Sequence, residues 1–520
     1  MQVSLYTDGK NHGCVKLEAP ALDADAPPRV VVGVLDGSGS MGGKPLQDAK
    51  LALQWVVRQL RPNIDSFSLV YFSNDAKLQI PVTLVTETNS LAMRTSIASL
   101  QTTGSTNLEA GLRLALAQLP EAGGGSLVLA TDGIPNVGAT SVADLVGVLR
   151  AGAAGKAEVR LDTAGLGHQH NEDLLASLAS ELDGVYTFLE TSAAIQDWAA
   201  TRLGAALTVS ARQVECTVNG ASALRLEGVS AAGHAIQYPT MSSGEVKHIL
   251  VTLAGAPFSA AVEYLDNDGA MEQLRVSDVV TDPVVVDVQR NRWAFVDAVQ
   301  QAKEHADQQQ MAQAQRTLQS CLDQMQTTLS HDQPEVREFM ERMRELLPMY
   351  QTTLSYTSLG RQRTTEAARG YAMERDVGGR GLASAFTSPG QALMRQRSAP
   401  AGGGAAGAAS AGGGAAGGAA GAAMPPPPPR LVRSMSVASG AGGASAASAA
   451  GASSKWQWMG EGQYMDFDPA QQRVLEAALA GQQVTAEYTI ASTKYVAYLE
   501  PMVQMNQHTR FVRQIRRVAC

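Results

Sequence analysis

Cysteine and aromatic residues are both scarce in this chain. Only four cysteines occur among 520 residues, and aromatic residues make up 5%. No two cysteines form a CxxC pair, so the sequence offers neither a zinc-finger framework nor a dense disulfide scaffold. This usage is typical of a reducing compartment. Gly and Ala are abundant instead, which predicts a long segment without a hydrophobic core.

Positive charge and long apolar runs are also missing. The net charge is −8 at pH 7, which argues against direct DNA binding or attraction to an anionic membrane. No apolar run reaches the roughly 18 residues of a membrane span. The opening sequence, MQVSLYTDGKNHG, has no basic segment followed by an apolar one, as a secretory signal would. We therefore expect an intracellular protein, cytoplasmic or nuclear, without a transmembrane segment.

Residues 29–203 alternate between short apolar runs and helix-length amphipathic stretches. The apolar runs are RVVVGVL (29–35), FSLVYF (67–72), SLVLAT (126–131), VRLDTAGLG (159–167) and VYTFLE (185–190). The helical stretches lie near 44–60, 88–100, 107–119, 142–151 and 171–182. Strands that are apolar almost throughout and alternate with helices predict a doubly wound, Rossmann-like α/β domain. Its ligand site is expected outside the carboxyl ends of the strands.

The rest of the chain changes character several times. Residues 204–288 alternate with period two and predict an antiparallel β-sandwich, which the strands of residues 1–28 join. Helical spacing over 289–358 predicts a helical hairpin. Residues 359–454, rich in Gly, Ala and Pro, predict a disordered linker, with prolines 425–429 as a polyproline II spacer or an SH3-type ligand. Residues 455–520 form a small α+β module.

Oxygen-bearing side chains occur in three loops. Two of these loops directly follow predicted strands, and one directly precedes a predicted helix. Asp36, Ser38 and Ser40 lie in VLDGSGSMGG, directly after the first apolar strand. Thr106 precedes a helix in TTGSTNLEAG, and Asp132 ends another strand in ATDGIPN. Hard oxygen ligands at alternate positions suit Mg²⁺ or Mn²⁺. A lone DxSxS would be weak evidence, because Asp and Ser also favour turns and helix caps, but three such loops in order strengthen it.

The order DGSGS, GSTNL and TDG resembles the von Willebrand factor A (VWA) domain and its metal-ion-dependent adhesion site. The resemblance covers roughly residues 29–203. It implies direct coordination of the metal by Ser38, Ser40 and Thr106, with Asp36 and Asp132 acting largely through water. It also implies that an acidic group from a protein partner completes the coordination shell.

His168 and His170 form an HxH pair that a metal could use. The alternative that we favour is a loop before Asn171, which is a suitable N-cap for the following helix. No Ser-His-Asp or Cys-His set stands out in the sequence, so we expect no enzymatic activity.

The module at 455–520 reads as a strand, a short helix and then several strands. It resembles a WWE domain, in which Trp456 and Trp458 stand for the tryptophans, Glu476 for the glutamate, and YVAYLEPMVQ with VRQIRR for the closing signature. WWE domains of one branch bind iso-ADP-ribose, and others bind ADP-ribose units or have no known ligand. The resemblance implies aromatic, amide and guanidinium contacts to such a ligand from Tyr464, Tyr495, Gln504 and Arg513. Trp456, Trp458 and Glu476 are expected to hold the fold.

These features favour a non-enzymatic adaptor that binds a protein partner through its metal and ADP-ribosylated proteins through its WWE module. An alternative is a substrate receptor or accessory subunit in ubiquitin ligation, because WWE domains often accompany ligases. A third hypothesis, ADP-ribosyl transfer, would need a catalytic domain that the middle of the chain does not display. A Gly/Ala/Pro-rich linker that joins two binding domains of modest affinity would raise their effective local concentration.

Overall fold

Two compact units make up the chain, residues 1–401 and 402–520. The structure is a computed structural model that describes the following residues: 1–22, 27–120, 124–156, 158–225, 231–232, 235–255, 257–376, 386–398, 454–459, 464–480, 485–490, 493–498, 503–506 and 512–519. No helix among them combines the length and the apolar character needed to cross a membrane. Cys14, Cys216 and Cys321 are buried and unpaired.

A six-stranded sheet with helices on both faces organises the first unit. Its strand order is β5-β4-β3-β6-β7-β8, and every neighbouring pair is parallel except β4 with β5. The strands are β3 (Val30–Asp36), β4 (Ser66–Phe72), β5 (Ala76–Leu84), β6 (Gly125–Thr131), β7 (Val159–Leu166) and β8 (Tyr186–Leu189). The helices are α1 (Lys44–Gln59), α2 (Glu87–Ala98), α3 (Leu108–Leu116), α4 (Val142–Ala153), α5 (Glu172–Glu181) and α6 (Ile195–Leu207).

Burial on both faces explains why these strands are apolar throughout. Val31 and Leu35 of β3 enter the core beneath α1 and α6, whereas Val32 and Val34 enter the core beneath α3, α4 and α5. The predicted doubly wound domain is therefore confirmed. The antiparallel edge strand β5 was not predicted, because its pattern of exposed and half-buried residues lacks the apolar continuity of its neighbours.

The β-sandwich consists of two five-stranded sheets, in the orders β10-β13-β2-β1-β16 and β11-β12-β9-β14-β15. Its strands are β1 (Gln2–Thr7), β2 (His12–Glu18), β9 (Val209–Asn219), β10 (Ala221–Arg225), β11 (Ala231–Ala232), β12 (Ala235–Ser242), β13 (Val246–Leu253), β14 (Ser259–Leu265), β15 (Met271–Val276) and β16 (Val279–Thr281). Alternate residues such as Val15 and Leu17 face Val214 and Cys216 in one shared core. The prediction that the N-terminal strands join this sandwich is confirmed by the pairing of β2 with β13.

The helical region contains more helices than the predicted hairpin at 289–358. It comprises α7 (Pro283–Asp307), α8 (Met311–Met325) and α9 (Pro334–Leu346), followed by one-turn segments that include α10 (Thr353–Ser355), and then α11 (Arg361–Ala372) and α12 (Pro389–Ser398). The predicted hairpin of two helices was wrong. The stretch predicted as its first helix is divided into α7 and α8 at Gln309, whose φ is 62°. Pro334 then starts α9 at a first-turn position, where a proline is tolerated.

The predicted start of the linker at residue 359 was also wrong. Helix α11 is buried although its sequence is polar, because the folded first unit supplies partners for its charges. Arg363 contacts Glu190 at 3.1 Å, and Glu366 Oε1 accepts a 2.9 Å hydrogen bond from the backbone N–H of Phe188. Composition alone cannot identify such partners. Residues 377–385 and 399–453 of the predicted linker lie outside the described residues.

The described residues of the second unit, which lie between 454 and 519, form a six-stranded sheet with one helix. Its strand order is β18-β17-β22-β21-β20-β19. The elements are β17 (Ser454–Met459), β18 (Tyr464–Asp466), α13 (Pro469–Ala480), β19 (Thr485–Ile490), β20 (Thr493–Tyr498), β21 (Val503–Asn506) and β22 (Val512–Ala519). Trp456 and Leu475 lie in its core with no exposed surface. The predicted helix is followed by several strands as expected, but two strands, β17 and β18, precede it where one was predicted.

Candidate metal and ligand sites

Asp36 ends β3 and is fully buried at the carboxyl edge of the sheet. Its Oδ1 atom accepts a 2.8 Å hydrogen bond from the backbone N–H of Ser38, and its Oδ2 atom accepts a 2.5 Å bond from the hydroxyl of Thr131. These bonds fix both carboxylate oxygens. Gly37 is needed beside it, because a β-carbon there would overlap the ring of Tyr71.

Side chains from three loops meet next to Asp36. The hydroxyls of Ser38 and Ser40 lie 3.0 Å apart, and Ser40 donates a 2.7 Å hydrogen bond to Asp132 Oδ1. The space above Gly133 locates the rest: a β-carbon there would lie 3.3 Å from Thr106 Oγ1 and 3.8 Å from both Asp36 Oδ2 and Ser40 Oγ. The structure therefore brings together all five residues that the sequence singled out.

Two asparagines that sequence reasoning missed hold the Thr106 loop in place. Asn136 accepts a 2.9 Å hydrogen bond from the backbone N–H of Thr106, and its own backbone N–H donates to the Thr106 carbonyl at 3.0 Å. Asn74 accepts a 2.7 Å hydrogen bond from the backbone N–H of Ser105. Asparagine commonly bonds to backbone in loops, but the sequence does not show that these two loops lie beside the loop of Thr106 in the fold.

Two carboxylates, those of Asp36 and Asp132, lie at this edge of the sheet. Burial raises the pKa of Asp36, and burial together with the charge of Asp36 raises the pKa of Asp132 to about 6, against the opposing hydrogen bond from Ser40. Within the described ranges, no group of three or more His, Cys, Asp or Glu side chains could hold a metal. The donor set at this site is instead two carboxylates and three hydroxyls, all hard oxygens, which fits Mg²⁺ or Mn²⁺.

His168 and His170, the HxH pair, lie in the loop between β7 and α5. Asn171 caps α5 by accepting a 3.0 Å hydrogen bond from the backbone N–H of Leu174, so the predicted N-cap is confirmed. His170 is buried, and its Nε2 atom lies 2.7 Å from the hydroxyl of Tyr186. Burial lowers the pKa of His170 to about 4. Its ring also lies against Phe188, with centroids 5.7 Å apart.

In the second unit, Trp456 and Glu476 hold the strands against the helix. The indole Nε1 of Trp456 donates a 2.8 Å hydrogen bond to Glu476 Oε1, and Arg517 Nε donates to the same oxygen at 2.7 Å. Trp458 is half-buried against the same core. These contacts agree with the structural role expected for the three motif residues.

The four candidate ligand contacts of this unit occupy different strands. Tyr495 lies on β20 and is half-buried, and Gln504 lies on β21 with 1% of its surface exposed. Arg513 on β22 pairs through its backbone with Gln504, while its side chain lies outside the described residues. Tyr464 begins β18, which three strands separate from β20 in the sheet order, and the Arg516 guanidinium lies 3.7 Å from its ring centroid.

Tyr488, which sequence reasoning missed, connects two of these candidates. Its hydroxyl donates a 2.5 Å hydrogen bond to Gln504 Oε1. Its ring lies nearly parallel to that of Tyr495, with centroids 6.1 Å apart and planes inclined by 12°. No sequence pattern indicates this contact, because the three residues lie on three separate strands.

Comparison with protein families finds two matches. The model for the von Willebrand factor type A domain matches residues 31–201, and that for the WWE domain matches residues 454–517. Human inter-alpha-trypsin inhibitor heavy chain H4 is 29% identical over 168 residues, which are 30% of this chain and 18% of that protein. The uncharacterized protein YfbK of Escherichia coli is 26% identical over 200 residues, which are 37% of this chain and 34% of that protein. The chain thus spans about a third or less of the length of these two relatives.

Solved structures share the fold of the first unit beyond the matched domain. The von Willebrand factor type A protein from Catenulispora acidiphila superposes with a TM-score of 0.51 at 15% identity, covering 74% of this chain and 97% of that one. The ArnB paralog VWA2 from Sulfolobus acidocaldarius superposes with a TM-score of 0.51 at 15% identity, covering 72% and 97%. These shares are larger than residues 31–201 alone, so the likeness in fold includes part of the sandwich and helical regions.

Proposed function

We propose that this chain, which contains a von Willebrand factor type A domain at residues 31–201 and a WWE domain at 454–517, is a non-enzymatic adaptor. The first domain binds a protein partner through a divalent metal and an acidic side chain. The WWE domain binds ADP-ribose units, including iso-ADP-ribose, on modified proteins. The three buried free cysteines support a reducing, intracellular compartment.

The observation that supports the metal-dependent activity most directly is the meeting of five oxygen-bearing side chains above Gly133. Ser38, Ser40 and Thr106 are the direct ligands in this proposal. Asp36 and Asp132 hold the ion largely through water and balance its charge. When bound, Mg²⁺ or Mn²⁺ supplies a positive attachment point for a carboxylate oxygen of the partner. Ser40 and Gly39 are exposed, which leaves the edge open to a macromolecule.

The ligand activity of the WWE domain is supported by the chemistry of one face of its sheet. Tyr495 offers an aromatic surface for the adenine ring, and Gln504 offers an amide. Arg513, by its register beside Gln504, is the proposed phosphate contact. Tyr464 adds an aromatic contact in this proposal, because it stands at a position of the WWE domain that contacts the ligand. Each of these interactions is modest, so carrying both binding domains on one chain increases the avidity for a partner that is itself ADP-ribosylated.

The test is a pair of titrations on the full chain, one with Mn²⁺ and one with iso-ADP-ribose. Asp132→Ala is expected to weaken Mn²⁺ binding at least about tenfold, consistent with loss of a charged group near the ion, and to leave iso-ADP-ribose binding unchanged. Gln504→Ala is expected to do the reverse. Asp75→Ala is the matched control, because Asp75 is an exposed carboxylate on a neighbouring loop of the same sheet edge. A wild-type chain that binds neither probe would refute the proposal.

A further inference from the structure

Tyr488 lies at the centre of the face to which ADP-ribose binding is assigned. It belongs to β19, and it contacts both Tyr495 of β20 and Gln504 of β21. Phe467 supports it from the other side, edge to face, with ring centroids 5.6 Å apart and planes inclined by 85°. The phenol therefore has little freedom to rotate away from its two partners.

Strand register explains how one side chain reaches across two strand spacings. Strand β20 lies between β19 and β21, with Tyr488 opposite Tyr495 and Gln504 opposite Ala497. Tyr495 and Ala497 are two residues apart, so all four residues share one face of the sheet. Ala497 is fully buried and has the smallest side chain of the four. It leaves room for the phenol to cross β20 and reach the amide.

Burial makes the bond between Tyr488 and Gln504 durable. Tyr488 is 8% exposed and Gln504 is 1% exposed, so water has little access to the hydrogen bond between them. Burial also raises the pKa of the Tyr488 hydroxyl, which therefore stays protonated and able to donate at neutral pH. Gln504 Oε1 accepts the hydrogen bond from the Tyr488 hydroxyl. The NH₂ group of the Gln504 amide is therefore the group that can donate a hydrogen bond to another molecule.

We propose that Tyr488 is a positioning residue that fixes Gln504 so that its amide nitrogen, not its oxygen, is presented to the ligand. The group recognised at this point is then a hydrogen-bond acceptor of the ADP-ribose unit, such as a phosphate oxygen, a ribose oxygen or an adenine ring nitrogen. This inference rests on the proposed binding of ADP-ribose by the WWE domain. It adds a chain-specific determinant of what that face accepts.

Calorimetric titration of the full chain with iso-ADP-ribose tests the inference. Tyr488→Phe removes only the hydroxyl and keeps the ring stack, so it is expected to weaken binding about fivefold, the effect of one hydrogen bond. In a Gln504→Ala background, the same substitution is expected to change Kd less than about twofold, because the amide that Tyr488 positions is then absent. A purely structural role for Tyr488 would weaken binding equally in both backgrounds.

A third variant examines the orientation of the amide. Gln504→Glu keeps an oxygen for Tyr488 to donate to, but it replaces the amide nitrogen with a second oxygen. Affinity for iso-ADP-ribose is expected to fall at least as far as in Gln504→Ala. Retention of wild-type affinity by Gln504→Glu would overturn the inference, since a side-chain oxygen would then make the contact with the ligand.

Tyr264→Phe is the matched control, because it removes a tyrosine hydroxyl in the other unit, where that oxygen accepts a 2.9 Å hydrogen bond from the N-terminal amine. It should leave Kd unchanged. Wild-type affinity in Tyr488→Phe would overturn the positioning role while leaving ADP-ribose binding intact. Absence of binding by the wild-type chain would overturn the proposed function of the WWE domain together with this inference.

Discussion

Ser40 donates a 2.7 Å hydrogen bond to Asp132, joining the loop after β3 to the loop after β6. Those two strands are neighbours in the sheet, so their carboxyl ends bring residues distant in sequence into contact. Asp36 lies beside the same pair, and its burial and that of Asp132 place two carboxylates in a region of low polarity. Among the described residues neither carboxylate forms an ion pair. A bound cation would offset their mutual repulsion.

Divalent metal should therefore stabilise the first unit. At a free Mg²⁺ or Mn²⁺ concentration one hundred times Kd, binding to the folded state alone adds about 2.7 kcal/mol, and thermal unfolding monitored by calorimetry should shift upward accordingly. Asp132→Asn should reduce this shift to about half or less at the same metal concentration. In chelator, the same variant should be at least as stable as the wild type, because it removes one of two neighbouring like charges.

The control for this experiment is Asp75→Asn, which alters an exposed carboxylate and should leave the metal-induced shift in place. An equal metal-induced shift in wild type and Asp132→Asn would show that the ion binds elsewhere. A large loss of stability of Asp132→Asn in chelator would show instead that Asp132 is needed for the fold without metal.

Arg375 should be one of the most sensitive positions for stability. It is 4% exposed, and its guanidinium bonds to the backbone carbonyl and the carboxylate of Asp183 and lies 3.4 Å from Glu245. Arg375→Ala leaves the buried Asp183 carboxylate without this partner, whereas Glu245 keeps Lys247 at 3.0 Å, and the loss costs on the order of 3–5 kcal/mol. Urea denaturation measures the loss. Arg397→Ala, at an exposed position, should change the free energy of unfolding by less than about 0.5 kcal/mol.

The sequence predicted the sheet and the metal loops because both depend on local patterns. Continuous apolar runs specify strands buried on two faces, and the motif residues follow those strands directly. Asn74, Asn136 and Tyr488 could not be predicted, because the partner of each is set by which strands or loops become neighbours in the fold. Helix α11 was missed for a related reason: its polar residues are satisfied by groups such as Glu190 that are far away in the sequence.

Truncation should separate the predicted boundary of the first unit from the observed one. A chain ending at residue 401 keeps α11 and α12 and should unfold cooperatively with a midpoint close to that of the first unit in the full chain. A chain ending at residue 358 loses both helices and exposes the surfaces that they cover, including the tight approach of Gly390 to Thr208. It should be aggregation-prone or lower in midpoint by many degrees. Equal midpoints for the two fragments would show that α11 and α12 contribute nothing to the fold.

His170 should make stability depend on pH over a defined interval. Burial lowers its pKa to about 4 in the folded chain, whereas the pKa of a histidine in an unfolded chain is about 6.5. The unfolded chain therefore binds the proton more readily between these two values, so the free energy of unfolding should decrease as the pH falls from about 6.5 to about 4. The contribution of this one group reaches about 3 kcal/mol at the acid end.

Replacement by a residue that does not titrate measures that contribution. His170→Gln should be less stable than the wild type at pH 7.5, because the ring contacts with Tyr186 and Phe188 are lost, but its stability should decline less steeply toward pH 4. His331→Gln is the control, since the side chain of His331 is 48% exposed and its loss should leave the slope unchanged. Parallel profiles for wild type and His170→Gln would mean that other buried groups account for the acid sensitivity. A profile that flattens only in His170→Gln would assign the acid sensitivity to His170, whose burial favours the neutral imidazole.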